Sequence, residues 1–168
     1  MIRAATEETT GETVAGWGID GCSAPNFAVS VAGLARAMQA FAAATGSGGV
    51  RDRAMHRLAR AMATYPELVA GEGEATTELM QAMGGRVALK YGAEAVFTAI
   101  LPEKQLGIAL KIADGGKRAS ETAIAALLVR AGVLDQDHPI ARSYLNAIQW
   151  NRRHIAAAEL VSAPGFPG

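Results

Sequence analysis

The sequence predicts an α+β fold, an antiparallel sheet covered by helices, and three observations carry that prediction. Up to Met83, apolar side chains recur at three- and four-residue spacing, the mark of amphipathic helices. Between Val87 and Ala113 the pattern switches to short aliphatic and β-branched runs separated by turn material. Helical spacing returns after Gly115-Gly116, so the strands form one block flanked by helices.

The elements follow in order. Ile2 to Thr9 reads as a helix stopped by Gly11. Phe27 to Ala44 carries Val31, Leu34, Ala35 and Met38 on one helical face, and Gly46-Ser47-Gly48-Gly49 breaks it. Arg51 to Thr64 places Met55, Leu58, Ala59 and Met62 opposite a row of arginines, and Pro66 ends it. Thr76 to Met83 is a short helix closed by Gly84-Gly85. Val87–Leu89, Ala95–Leu101 and Leu106–Ala113 read as three strands, the last two joined through Pro102-Glu103-Lys104-Gln105. Arg118 to Ala131 is a strongly apolar helix ending at Gly132. Asp137-His138-Pro139 starts another, with Asp137 as N-cap and proline in the first turn. Trp150 to Val161 reads as either helix or strand.

Composition narrows the function classes. Lysine plus arginine and aspartate plus glutamate both number 16, and half of the 168 residues are hydrophobic. A nucleic-acid binder would carry a basic excess, and a disordered chain would be less apolar and more charged. The length suits a single domain, 1–168. One cysteine leaves no internal disulfide and suits a reducing, cytoplasmic compartment. Met1–Thr10 lacks the apolar stretch of a signal peptide, and no run of about 18 apolar residues offers a membrane span.

The segment Gly16-Trp17-Gly18-Ile19-Asp20-Gly21-Cys22-Ser23-Ala24-Pro25-Asn26 does not fit a helix. It gathers three glycines and a tryptophan around the only cysteine. Glycines at alternating positions let a backbone turn sharply, and Asp20 two residues before Cys22 aims a carboxylate and a thiol at one place. A site is expected here.

Four segments together resemble the L-asparaginase II family of rhizobial type: Asp20-Gly21-Cys22 followed by Pro25, Ala61-Met62-Ala63-Thr64-Tyr65-Pro66-Glu67-Leu68-Val69-Ala70-Gly71, Leu89-Lys90-Tyr91-Gly92-Ala93-Glu94-Ala95-Val96, and Leu106-Gly107-Ile108-Ala109-Leu110-Lys111-Ile112-Ala113-Asp114-Gly115. Tyr65 stands where the family more usually has histidine, and Ala95 where it has glycine. The resemblance runs from about Met1 to about Val133 and weakens over 134–168. It implies the C-terminal part of a fold similar to serine β-lactamases and glutaminases. The activity implied is hydrolysis of L-asparagine to L-aspartate and ammonia. Such enzymes take their nucleophile from an S-x-x-K motif. None of Ser23, Ser30, Ser47, Ser120, Ser143 or Ser162 has a lysine three residues on. The resemblance therefore implies the C-terminal half of a larger asparaginase, with the nucleophile in the other half. The alternative is a non-catalytic truncated or pseudo-enzyme module that self-associates or binds a partner.

By the same resemblance, Lys90 is the catalytic candidate, holding a substrate carboxylate or easing proton transfer, with Gly92 leaving room for substrate beside the strand. The plainer reading of Lys90 is a snorkelling edge-strand residue. Asp20 and Asn26 are candidate substrate contacts, Asn26 alternatively a loop cap. Cys22 is a candidate zinc ligand by resemblance, and otherwise a small buried hydrophobe. His56, His138 and His154 show no ligand spacing. L-asparagine and a second copy of the chain, as a dimer, are the expected partners.

Overall fold

A computed structural model describes residues 1–166. The helices are α1 (Ile2–Thr10), α2 (Val31–Ala43), α3 (Val50–Thr64), α4 (Pro66–Ala70), α5 (Ala75–Ala82), α6 (Lys117–Arg130) and α7 (Pro139–Leu145). The strands are β1 (Gly16–Ile19), β2 (Pro25–Ala28), β3 (Ala88–Gly92), β4 (Val96–Leu101), β5 (Leu106–Lys111), β6 (Ile148–Trp150) and β7 (Ala156–Glu159). The α+β expectation holds, with one qualification. The strands form three antiparallel sheets rather than one: β1–β2, β3–β4–β5 and β6–β7.

The three-stranded sheet is the centre, and alternation along its strands assigns side chains to two faces. Leu89, Phe97, Ala99 and Leu101 pack with Leu79 and Met80 of α5 and Ile124 and Leu128 of α6 in the larger core cluster. Ala88 and Ile100 point the other way, toward Ala42 of α2 and Ala59 of α3. Helices therefore cover both faces. Lys90 and Gly92, in step with Ala88, share the α2 face at the free edge of β3.

Two glycines set how α2 sits. A Cβ on Gly107 of β5 would lie 2.1 Å from Gln39 N and 2.3 Å from Ala35 O, so α2 rests directly on the strand backbone. A Cβ on Gly33 would lie 2.6 Å from the Glu12 carboxylate. That carboxylate accepts from Ser30 N at 2.5 Å, Ser30 Oγ at 2.8 Å and Arg36 Nη2 at 3.0 Å. Ser30 Oγ in turn caps α2 by accepting from Gly33 N. Glu12 thus ties the chain after α1 to the start of α2.

Several expected boundaries move. Phe27 and Ala28 belong to β2, and the helix expected from Phe27 starts at Val31 instead. Pro66 ends α3 but also begins α4, because the first turn of a helix has no use for the missing N–H. The expected N-cap Asp137 is replaced by His138, whose Nδ1 accepts from Ile140 N, while Asp137 pairs with Arg142 at 2.6 Å. Ala95 does not start β4: Glu94 and Ala95 both take left-handed conformations, at φ 58° and 56°, and the strand begins at Val96. Trp150–Val161 is not helical. Its strand pairs with Ile148–Trp150 rather than with the central sheet.

Candidate functional site

The glycine-rich segment folds as the β1–β2 hairpin, in register Trp17 to Phe27 and Gly18 to Asn26. Its tip is held by Asp20. The Asp20 N–H donates to Ala24 O at 2.9 Å, Ser23 N donates to Asp20 O at 2.8 Å, and Gly21 N donates to Asp20 Oδ1 at 2.8 Å. Ser23 completes the turn at φ 67°. The Cys22 thiol lies 3.6 Å from the other carboxylate oxygen of Asp20 and is exposed, not buried as its plainer reading required.

Beneath the hairpin runs an open groove of about 1120 Å³, walled by α1, the hairpin, α2 and the Gly92–Lys111 end of the central sheet. Asp20, Asn26 and Gly92 all line it. Residues 66 to 72 positions apart in sequence thus share one space. The remaining wall is largely apolar, with Trp17, Phe27, Val31, Leu34 and Phe41 among its residues. Asp20 and Lys111 are the charged residues among the described lining. A smaller hollow of about 480 Å³, bordered by Asp137, Arg142 and Asn146, contains none of the candidate residues.

Lys90 and Cys22 are outside that lining. The Lys90 side chain is exposed and turns round the sheet edge, where Nζ donates to Tyr91 O at 2.6 Å and lies 4.7 Å from the Tyr91 ring centroid. The Lys117 ammonium is 5.9 Å from the same ring. Lys117 leads to an acidic cluster at the joint of α5, α6 and α7. It contacts Glu74 at 2.6 Å and Glu121 at 3.6 Å, and Tyr144 OH donates to Glu78 at 2.6 Å. The Glu74 hydrogen bond holds the Lys117 ammonium above its ordinary pKa. Burial pushes the Glu121 carboxyl up despite Lys117 beside it. Burial, then the bond to Glu78, also raises Tyr144.

Two of the three histidines serve local structure. His56 Nδ1 lies 3.1 Å from Ala44 O, and His138 caps α7. Among the described residues no group of three or more His, Cys, Asp or Glu side chains could hold a metal ion.

A family model described as L-asparaginase II matches residues 1–161. The chain belongs to the L-asparaginase II family. The match continues past Val133, where the sequence motifs fade, through α7 and the β6–β7 hairpin. No curated protein matches the chain. In this asparaginase-family chain, Lys111 is the groove residue that sequence reasoning passed over. It sits in the Leu106–Gly115 segment that carries part of the family resemblance, a charge at the end of an apolar strand to which no role was given. Among the described residues, no helix is long and apolar enough to cross a membrane.

Proposed function

We propose that the chain contributes the substrate groove of an amidohydrolase that converts L-asparagine and water to L-aspartate and ammonia. The observation that carries the reading is the convergence of Asp20, Asn26 and Gly92 on one groove in a chain of this family. The chemistry is acyl transfer. An activated hydroxyl attacks the side-chain amide carbon, the C–N bond breaks, ammonia leaves with the transferred proton, and water then releases aspartate. Backbone N–H groups oppose the negative charge that develops on the carbonyl oxygen. With no Ser-x-x-Lys in the 168 residues, the reading assigns the nucleophile to polypeptide beyond them. Lys90 is its proton-handling cation at the sheet edge, and Asp20 and Asn26 bind substrate. The order of helices, three antiparallel strands and helix α6 supports a likeness to the C-terminal part of a β-lactamase-like fold.

Zinc does not fit this chain by itself. Cys22 and Asp20 supply two donors where a structural zinc takes four, so no step is routed through the metal.

A second reading, a self-associating module, has its own observation. Among the described residues the β1–β2 and β6–β7 hairpins each pair with no other strand, and they expose Trp17 at 65% and Trp150 at 61%. Isolated two-stranded hairpins are marginal in water. Ammonia release from L-asparagine by the full protein separates the two. The hydrolase reading requires turnover that Lys90→Met abolishes while the far-ultraviolet spectrum stays unchanged. Turnover undiminished in Lys90→Met removes Lys90 from the chemistry. No ammonia from the full protein, with dimers in sedimentation, favours the module.

A further inference from the structure

We propose that Lys111 is the specificity residue that takes the substrate's α-carboxylate, leaving Lys90 to proton transfer at the amide. The inference rests on the asparaginase reading of the groove. Its first support is placement. The register aligns Gly92 with Val96 and Val96 with Lys111, so these three form one row across the sheet. The row lies on the α2 face, and all three of its members line the groove. Two inter-strand spacings, about 10 Å, separate the Gly92 and Lys111 backbones, a span the flexible four-carbon lysine stem can partly cover once Nζ leaves Ile112 O.

The second support is charge. L-asparagine is a zwitterion, with an ammonium and a carboxylate on one carbon. Asp20 and Lys111 are one acid and one base among otherwise uncharged described lining. Asp20 suits the α-ammonium, Lys111 the α-carboxylate, and Asn26 is left to pair with an amide.

The third support is availability. Lys117 is engaged by the Glu74 and Glu121 carboxylates. Lys111 instead donates to a neighbouring backbone carbonyl, Ile112 O, and among the described residues shows no carboxylate partner. Turning from that neutral acceptor to a ligand carboxylate gives Lys111 a charge-assisted bond in its place. Lys90 Nζ instead donates to Tyr91 O round the sheet edge, outside the lining, so Lys111 is the lysine placed in the groove.

The test compares the full unaltered protein with Lys111→Met and Lys111→Arg. L-aspartate binding is followed by calorimetry, and β-alanine, which is aspartate without its α-carboxylate, by NMR titration. Lys111→Met should weaken L-aspartate by about tenfold or more and leave β-alanine unchanged. It should raise KM for L-asparagine by the same factor with kcat preserved, and Lys111→Arg should recover most of the loss. Equal weakening of both ligands would make Lys111 a structural residue, and unchanged L-aspartate affinity would remove it from recognition. Either result overturns the inference while the groove reading stands. No L-aspartate binding by the unaltered protein overturns both.

Discussion

Replacing Gly107 with alanine probes the contact that shapes the groove, because α2 forms one of its walls and rests on β5 at this residue. The added Cβ would meet Gln39 N at 2.1 Å, Ala35 O at 2.3 Å and Met38 C at 2.6 Å, all of them backbone atoms. No rotamer change relieves such a clash. An ordinary contact begins near 3.4 Å, so α2 must withdraw by roughly 1.3 Å at its nearest point. That movement loosens Ala42, Met38 and Phe41 from Ile100 and Ala88 in the smaller core cluster. Overpacking of this kind costs about 1–3 kcal/mol, and the backbone character of the clash puts Gly107→Ala at the top of the range. For a chain of this length each kcal/mol moves Tm by about 2–4 °C, so thermal unfolding should shift down by about 6–12 °C. Gly21→Ala is the matched control: its Cβ meets nothing within 4 Å, and a surface change of that kind stays within about 0.5 kcal/mol. Circular dichroism melts of both variants decide it. A Gly107→Ala protein melting within 2 °C, roughly one control's width, of the unaltered one would mean that α2 does not lie on β5 as described.

Two carboxyls give opposite pH signatures. Ser30 N–H and O–H, then Arg36, hold Glu12 below the ordinary glutamate range. Its folded pKa is therefore lower than its unfolded one, and its stabilisation is present above the unfolded value and lost as pH falls through the folded value. Glu12→Gln should lower Tm at pH 7, with the gap closing below the usual glutamate range; a gap that persists there would contradict the assignment. Glu121 is the reverse, because burial raises it against the pull of Lys117. Its ionisation opposes folding as pH rises from the unfolded value through the raised folded one. Glu121→Gln should thus melt higher than the unaltered protein at neutral pH and equal to it in acid, and lower Tm at pH 7 would show that the Lys117 pairing outweighs burial.

Much of the core was legible because its pattern is strong. The change from helical spacing to short aliphatic runs located β3–β5, and the apolar stretch with Ala123, Ile124, Leu127 and Leu128 marked α6 within a residue or so. The β1–β2 hairpin was illegible as strands. β1 and β2 are four residues each and mostly exposed, so they bear no alternation of buried and exposed side chains, and Phe27 and Ala28 join smoothly to the helical pattern that follows. The left-handed pair Glu94–Ala95 was hidden because neither residue is the glycine or asparagine that such a conformation usually selects. The candidate site divides along the same line. The glycine-rich turn singled out Asp20 and Asn26, and the family resemblance singled out Gly92, whereas Lys111 reaches their groove through strand pairing across three strands, which no local pattern encodes.

Whether the groove is the substrate site is read most directly by a ¹⁵N-edited NMR titration of the protein with L-asparagine and L-aspartate. Saturable shifts should concentrate at the Asp20, Asn26, Gly92 and Lys111 amides. Shifts confined instead to the hollow at Asp137, Arg142 and Asn146, or none at concentrations that saturate a millimolar site, would contradict it.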